Sequence, residues 1–514
     1  MKVPSVLAVV LALCSGLPAQ TQRPVARSEA GELAGVRDPV TQVAVFKGVP
    51  FAAPPVGELR WREPQPAPAW SGVREAGKFG PSPMQRVHGD NLPWTLEYLV
   101  QGEVGEDCLY LNVWTPRAGA SAKLPVIVYI PGGAFTEGSG AIPIYDGARL
   151  AARGLVVVTV NYRLGIFGFF AHPELTAESP HHASGNYGLL DQLAALAWVQ
   201  RNIGAFGGDP ARVTVWGQSA GAFSVGALLA SPRAKGLFQR AFASSGLSVA
   251  ARPMKDRAAA ERDGLAFGTE RGAADLKALR ALPAAELVAA TGFRPIVDGW
   301  LLSDTPNVLG AAGAGPDVPV LTGYMANDPL LSLPKLPTAA AYDDYLRQSF
   351  GAAAESFRAL YPAADLDAMR QGLMESARDR QRVGAFLWAV QRARVGRSPV
   401  FTYHFERGVP WPAHPEFGAF HSGELPYFFD NLGVLDRPWE PVDRALTDTV
   451  VGYLKQFAAT GNPNGPGLPP WPAVDGAAPQ PQRLDERVEP MPLASPERLE
   501  FWRGQLAPAA GATP

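Results

Sequence analysis

Val213-Thr214-Val215-Trp216-Gly217-Gln218-Ser219-Ala220-Gly221, running on into Ala222-Phe223-Ser224-Val225-Gly226-Ala227-Leu228-Leu229, is the stretch on which the fold turns. Its first four residues are β-branched or aromatic and read as a strand, and its last eight have helical character. Between them G-x-S-x-G makes a strand–turn–helix elbow that exposes a serine at a strand's end. A serine hydroxyl is a weak nucleophile at its free pKa, so it must stand where a base can take its proton. The flanking glycines have a steric reason. The elbow presses backbones together and strains the serine, so a Cβ at 217 or 221 is expected to clash. Glycine is common here, 54 of 514 residues, and the five-residue pattern arises by chance in about one such chain in three or four. The rest of the chain must decide.

With 47% hydrophobic and 18% charged residues, the chain can fill one large α/β domain or several ordinary ones. A net charge of −2 without a long basic run argues against nucleic-acid or anionic-membrane partners, which need clustered lysine and arginine. Small neutral substrates fit better. Met1-Lys2, the apolar run Val6 to Leu13 and Leu17-Pro18-Ala19 read as a secretory signal cut before Gln20, which predicts a secreted or periplasmic protein. The segment is too short to span a membrane. Leu13 precedes Cys14 where a lipoprotein anchor wants a small residue. Cleavage leaves Cys108 as the one cysteine, so no internal disulfide is expected.

Elsewhere strand-like runs alternate with helical ones, which predicts a mostly parallel sheet with helices on its faces. Leu124 to Ile130 and Leu155 to Val160 suit central strands, and Leu189 to Asn202 an amphipathic helix. Ala241 to Ser244, Val318 to Gly323 and Phe401 to Phe405 follow as strands. Lys255 to Ala290 and Thr338 to Arg394 are rich in alanine, leucine, arginine and glutamate, as helical insertions over the sheet would be. Residues 20–506 are expected to form a single domain, and 507–514, mostly alanine, glycine and proline, a disordered tail.

Several segments together resemble the type-B carboxylesterases of the α/β-hydrolase fold, the group that holds the cholinesterases and the bacterial para-nitrobenzyl esterases. They are Phe46-Lys47-Gly48-Val49-Pro50-Phe51-Ala52, Pro54-Pro55-Val56-Gly57, Leu59-Arg60-Trp61, Glu106-Asp107-Cys108-Leu109-Tyr110-Leu111-Asn112-Val113 and Asn161-Tyr162-Arg163-Leu164-Gly165. Gly185-Asn186-Tyr187-Gly188-Leu189-Leu190-Asp191-Gln192 and Phe206-Gly207-Gly208-Asp209-Pro210 then lead into the elbow in the family's order. The resemblance implies a secreted serine carboxylesterase acting through an acyl-enzyme at Ser219 on a small-molecule ester, with no cofactor.

It also says where the partners of Ser219 belong. Pro131-Gly132-Gly133-Ala134-Phe135 matches the family's glycine-rich loop, so Gly133 and Ala134, with Ala220, are expected to supply backbone N–H donors to the oxyanion. Ala134 stands where a third glycine is frequent, and its methyl trims room for bulky alcohols. The acid belongs after a strand, and Gly323-Tyr324-Met325-Ala326-Asn327-Asp328 puts Asp328 where the family usually has glutamate. Asp298 and Asp304 compete for the role, each also readable as a turn or cap residue. Gly418-Ala419-Phe420-His421-Ser422-Gly423-Glu424 puts His421 in the base's place, with Glu424 and Ser245 as supporting residues. His414 reads as a surface-loop residue, and His181-His182, with no nearby cysteines, as solvated rather than metal-binding.

One departure is plain. The family often ties the Cys108 segment to an earlier cysteine, but Phe79-Gly80-Pro81-Ser82-Pro83-Met84-Gln85 carries proline there, so the loop holding Trp94 and Tyr98 is expected to be unstapled, mobile and part of substrate access. Two other functions remain open: a catalytically silent adhesion or binding module on the same fold, and a lipase or amidase.

Overall fold

In a computed structural model of the chain, residues 23–119, 121–250, 253–475 and 480–506 are described. The expected signal segment 1–19, Cys14 and the tail 507–514 lie outside the described residues. Among the described residues the architecture is a mixed sheet of eleven strands with helices on both faces. In chain order its strands are β1 (Val36–Arg37), β2 (Ala44–Pro50), β3 (Tyr110–Thr115), β4 (Leu124–Ile130), β5 (Val156–Val160), β6 (Gly208–Gln218), β7 (Arg240–Ser244), β8 (Val320–Met325), β9 (Val400–Phe405), β10 (Gln482–Leu484) and β11 (Glu489–Pro490). Across the sheet the order is β11-β10-β9-β8-β7-β6-β4-β5-β3-β2-β1.

From β5 to β10 every neighbouring pair is parallel, and the two edges are closed by antiparallel pairs. The continuous apolar run of β4 follows from burial on both faces. Val126, Val128 and Ile130 enter one hydrophobic core, while Ile127 and Tyr129 enter the other. Helix α1 (Tyr187–Asn202) covers the first face with Leu196, Trp198 and Val199. The second is covered by Val450, Tyr453 and Phe457 from the long C-terminal helix Pro441–Thr460. Each fully buried side chain of this size contributes about 1.5–3 kcal/mol, so the two layers rather than cross-links hold the sheet.

The helical insertions lie where composition placed them. Residues 255–290 include the helix Arg257–Glu270, and residues 338–394 include Ala339–Phe350 and all but the last residue of the 30-residue helix α3 (Leu366–Val395). Cys108 is buried and free. Where the family's second cysteine is expected, Ser82–Pro83 instead pairs in parallel with Val104–Gly105 and closes the neck of loop 84–103 without a covalent bond. The Gln85 side chain tightens that neck. Its Nε2 donates to Gly138 O and its Oε1 accepts from Gly138 N–H, both at 2.8 Å. Among the described residues no helix is long and apolar enough to cross a membrane.

Candidate active site

Ser219 sits between β6 and helix α2 (Ala220–Ala230) with φ 57° and ψ −120°. An L-residue adopts that conformation only under constraint from its surroundings. Its N–H donates to Ser244 O at the end of β7, and its carbonyl accepts from Phe223 N–H, each at 2.9 Å. The glycines around it leave no space for a side chain. A Cβ on Gly217 would stand 2.2 Å from Gly221 O, and one on Gly221 would stand 2.1 Å from Ile130 O. Beneath the elbow Trp216 stacks on Phe242 at 5.2 Å and donates from Nε1 to Ser244 Oγ, which fixes the end of β6 against β7.

Asp328 opens the short turn that follows β8, and its side chain is 2% exposed. Oδ1 lies 2.5 Å from His421 Nδ1, while Oδ2 accepts from Ser245 Oγ at 2.7 Å and Met325 N–H at 2.9 Å. Both carboxylate oxygens are therefore oriented. With its Nδ1 proton given to Asp328, His421 presents Nε2 as an acceptor. That atom lies 3.2 Å from Gln218 Nε2, and among the described residues no hydrogen bond joins His421 to the Ser219 hydroxyl. Burial is the largest influence on the imidazole and lowers its pKa. The charge and hydrogen bond of Asp328 outweigh it and raise the pKa above 6.5.

Glu424 is fully buried, and neither of its carboxyl oxygens has a hydrogen-bond partner among the described residues. Burial first, and the Asp328 charge second, push its pKa up to about 8. The hydroxyls of Tyr98, Tyr129 and Tyr403 are likewise buried. An uncharged Glu424 fits such a site, because an ionised carboxylate left without a hydrogen bond in the interior is far costlier than a neutral one.

Ser219, His421, Gln218, Gly132, Gly133 and Ala134 share one cavity of about 280 Å³. Gly133 (φ 108°) and Ala134 (φ 54°) turn the glycine-rich loop, and a Cβ on Gly133 would meet Glu137 O at 2.1 Å. Among the described residues the N–H groups of Gly133, Ala134 and Ala220 have no protein acceptor. Loop 84–103 forms the opposite wall with Arg86, Val87, His88, Trp94 and Tyr98. Trp94 Nε1 donates to the carbonyl of His421 at 3.1 Å, a link between that loop and the histidine that composition did not reveal.

The competing residues are elsewhere. Asp298 accepts from the N–H groups of Trp300, Leu301 and Leu302, and Asp304 from that of Thr305, so both are turn residues. His414 pairs with Glu416, and His181 stacks on Trp300 at 4.0 Å. Among the described residues no group of three or more His, Cys, Asp or Glu could hold a metal ion.

The fold and this cavity define an α/β hydrolase. Residues 22–502 match the model of the carboxylesterase family, to which the chain belongs, and it is a carboxylic ester hydrolase. It is 41% identical over 81% of its length to the fumonisin B1 esterase of Sphingopyxis macrogoltabida, covering 77% of that protein. With the para-nitrobenzyl esterase of Bacillus subtilis it shares 37% identity over 86% of its length and 91% of the relative's. A solved PNB esterase structure superposes with a TM-score of 0.79 at 33% identity, covering 95% of this chain and all of that one.

Proposed function

We propose that the chain is a serine carboxylesterase in which Ser219 is the nucleophile, His421 the general base and acid, and Asp328 the acid that orients it. The observation that carries this reading is the strained elbow serine sharing a cavity with a histidine whose far nitrogen is hydrogen-bonded to a buried carboxylate. Ser219 Oγ attacks the ester carbonyl while His421 Nε2 takes its proton. The N–H groups of Gly133, Ala134 and Ala220 receive the negative charge of the tetrahedral intermediate. His421 then returns the proton to the leaving alcohol, and the acyl-enzyme is hydrolysed by a water that His421 activates. Asp328 keeps the imidazole in the acceptor tautomer and stabilises its cation. Ser245 holds Asp328, and Glu424, uncharged below about pH 8, supports the pair from the buried side. In the resting geometry Gln218 occupies Nε2, so the serine hydroxyl takes its place as substrate enters.

Residues 1–19 are proposed to direct export, with cleavage after Ala19, and residues 20–506 to act as one catalytic domain. Two assays test the reading. Ser219→Ala should abolish hydrolysis of short-chain para-nitrophenyl esters, and a serine-reactive phosphonate should label Ser219 in the wild type. Turnover that survives Ser219→Ala removes the nucleophile from this account, and an inactive, unlabelled wild type supports the silent binding module. Greater activity on emulsified triglycerides or on amides assigns the lipase or amidase alternative. N-terminal sequencing of exported protein should begin at Gln20.

A further inference from the structure

The Asp328–His421 contact joins two loops that leave the sheet from adjacent strands, β8 and β9, in parallel register through Met325 and Phe405. The acid follows its strand within three residues, whereas the histidine comes only after a long excursion. A hydrogen bond across such a gap needs something else to fix the separation of the two backbones.

Asn327 spans it. Its backbone N–H donates to Ala419 O at 2.9 Å, and its side-chain Nδ2 donates to Phe417 O at 2.8 Å. Gly418 permits that approach, because at φ 51° a Cβ there would lie 2.7 Å from Asn327 Nδ2. The remaining atom, Oδ1, accepts from the guanidinium of Arg378, whose Nε also donates to Ala326 O at 2.7 Å. Arg378 comes from α3, which packs on β8, β9 and the Asp328 turn. It is partly buried and has no ion-pair partner among the described residues, so its hydrogen bonds go to the acid loop instead. Burial lowers its pKa, and the nearby Arg382 adds to that. From a distance, Glu375, Glu406 and Asp379 offset part of the cost of burying it, and the direct hydrogen bonds come from the backbone and amide of the residues just before Asp328.

We propose that Arg378 and Asn327 form a clamp that sets the separation of Asp328 and His421, making both of them positioning residues for hydrolysis. The inference rests on the catalytic reading above. Asparagine suits the place because it accepts from Arg378 and donates to Phe417 with one side chain. Aspartate lacks the donor and alanine lacks both groups.

The test compares Asn327→Ala, Arg378→Met and the double variant with wild type by kcat and KM on para-nitrophenyl acetate. Each single change should lower kcat about tenfold to a hundredfold, the range expected when a catalytic group is displaced by up to about 1 Å, while KM stays within about twofold. The double variant should fall no further than the worse single one, because either change opens the same clamp. Arg378→Lys and Asn327→Gln, which keep hydrogen-bonding groups, should recover part of the loss and cover the case of a misfolded truncation. An independent readout is the downfield NMR signal of the His421 Nδ1 proton, which should weaken or shift upfield in each truncated variant. Wild-type kcat in folded Arg378→Met, losses that multiply in the double variant, or an unchanged proton signal overturns the proposal. If the wild type hydrolyses no ester, the catalytic reading fails, and the proton signal still decides the clamp.

Discussion

Gln218 Nε2 stands 3.2 Å from His421 Nε2, so the nitrogen assigned to deprotonate Ser219 meets the neighbouring side chain instead. Because His421 gives its Nδ1 proton to Asp328, Gln218 must donate, and a donor to Nε2 stabilises the neutral imidazole. Removing that donor in Gln218→Met should raise the His421 pKa. A protonated histidine cannot act as base, so the acid limb of kcat/KM should move to higher pH. A pH–rate profile with an unmoved limb assigns Gln218 no part in tuning the base.

Asp328→Asn should act in the opposite direction on the same limb. Asp328 supplies the main upward influences on His421, and without them burial dominates and draws the imidazole below 6.5. The rate itself should drop by about 10⁴, as when other triads lose the carboxylate that fixes their histidine tautomer. Near-normal turnover would place the acid elsewhere, although Asp298 and Asp304 are both occupied in turns.

Glu424 predicts a titration at the alkaline end. Its pKa is about 8 in the fold against an ordinary 4.5, so the folded protein retains a proton that the unfolded chain releases. The folded state therefore binds more protons between those values, and stability should fall as pH rises from about 4.5 to about 8. Glu424→Gln cannot ionise and should flatten that slope in urea unfolding measured at pH 5 and pH 8. Its pH–rate profile should also lose any inflection near 8, since no second negative charge then forms beside His421.

Asp191 predicts a loss of stability rather than chemistry. Its carboxylate accepts from Arg163 N–H, Nε and NH2 at 3.0, 2.8 and 2.7 Å, with both side chains buried. Asp191→Ala leaves a buried guanidinium without its counter-charge and should cost about 3–5 kcal/mol. Denaturant unfolding checks this, and a change under about 1 kcal/mol would show that water reaches Arg163.

Loop 84–103 should exchange its amide hydrogens faster than the central sheet. It is held by strand pairing and the Gln85–Gly138 hydrogen bonds at its neck, and further out by the indole bond from Trp94 to His421 O. Equal protection in hydrogen exchange would mean that this bond closes the loop as firmly as a staple, and Trp94→Phe should then release it.

Much of this molecule could be read from local pattern. The β4 run Leu124–Ile130 was visible because burial on both faces demands unbroken apolar sequence, and the glycines at 217 and 221 because the elbow forbids Cβ atoms. The motif residues Arg60 and Glu106 resolve into a partly buried ion pair, and Arg163 and Asp191 into a fully buried one, each joining separate segments. The antiparallel edge strands were harder to see, since β1 and β11 have only two residues each and so no period to detect. Contacts such as Gln218 with His421 and Arg378 with Asn327 were invisible for another reason. They depend on where loops from separate strands end, and no local spacing encodes that.

The buried thiol of Cys108 has a practical use. Burial raises its pKa well above the ordinary thiol value, which leaves it unreactive toward maleimides and iodoacetamides in the folded protein. A cysteine introduced at exposed Val87, on the rim of the cavity, would then be the one reactive attachment point in residues 20–514. A fluorophore there could report substrate entry in real time, without first removing native cysteines.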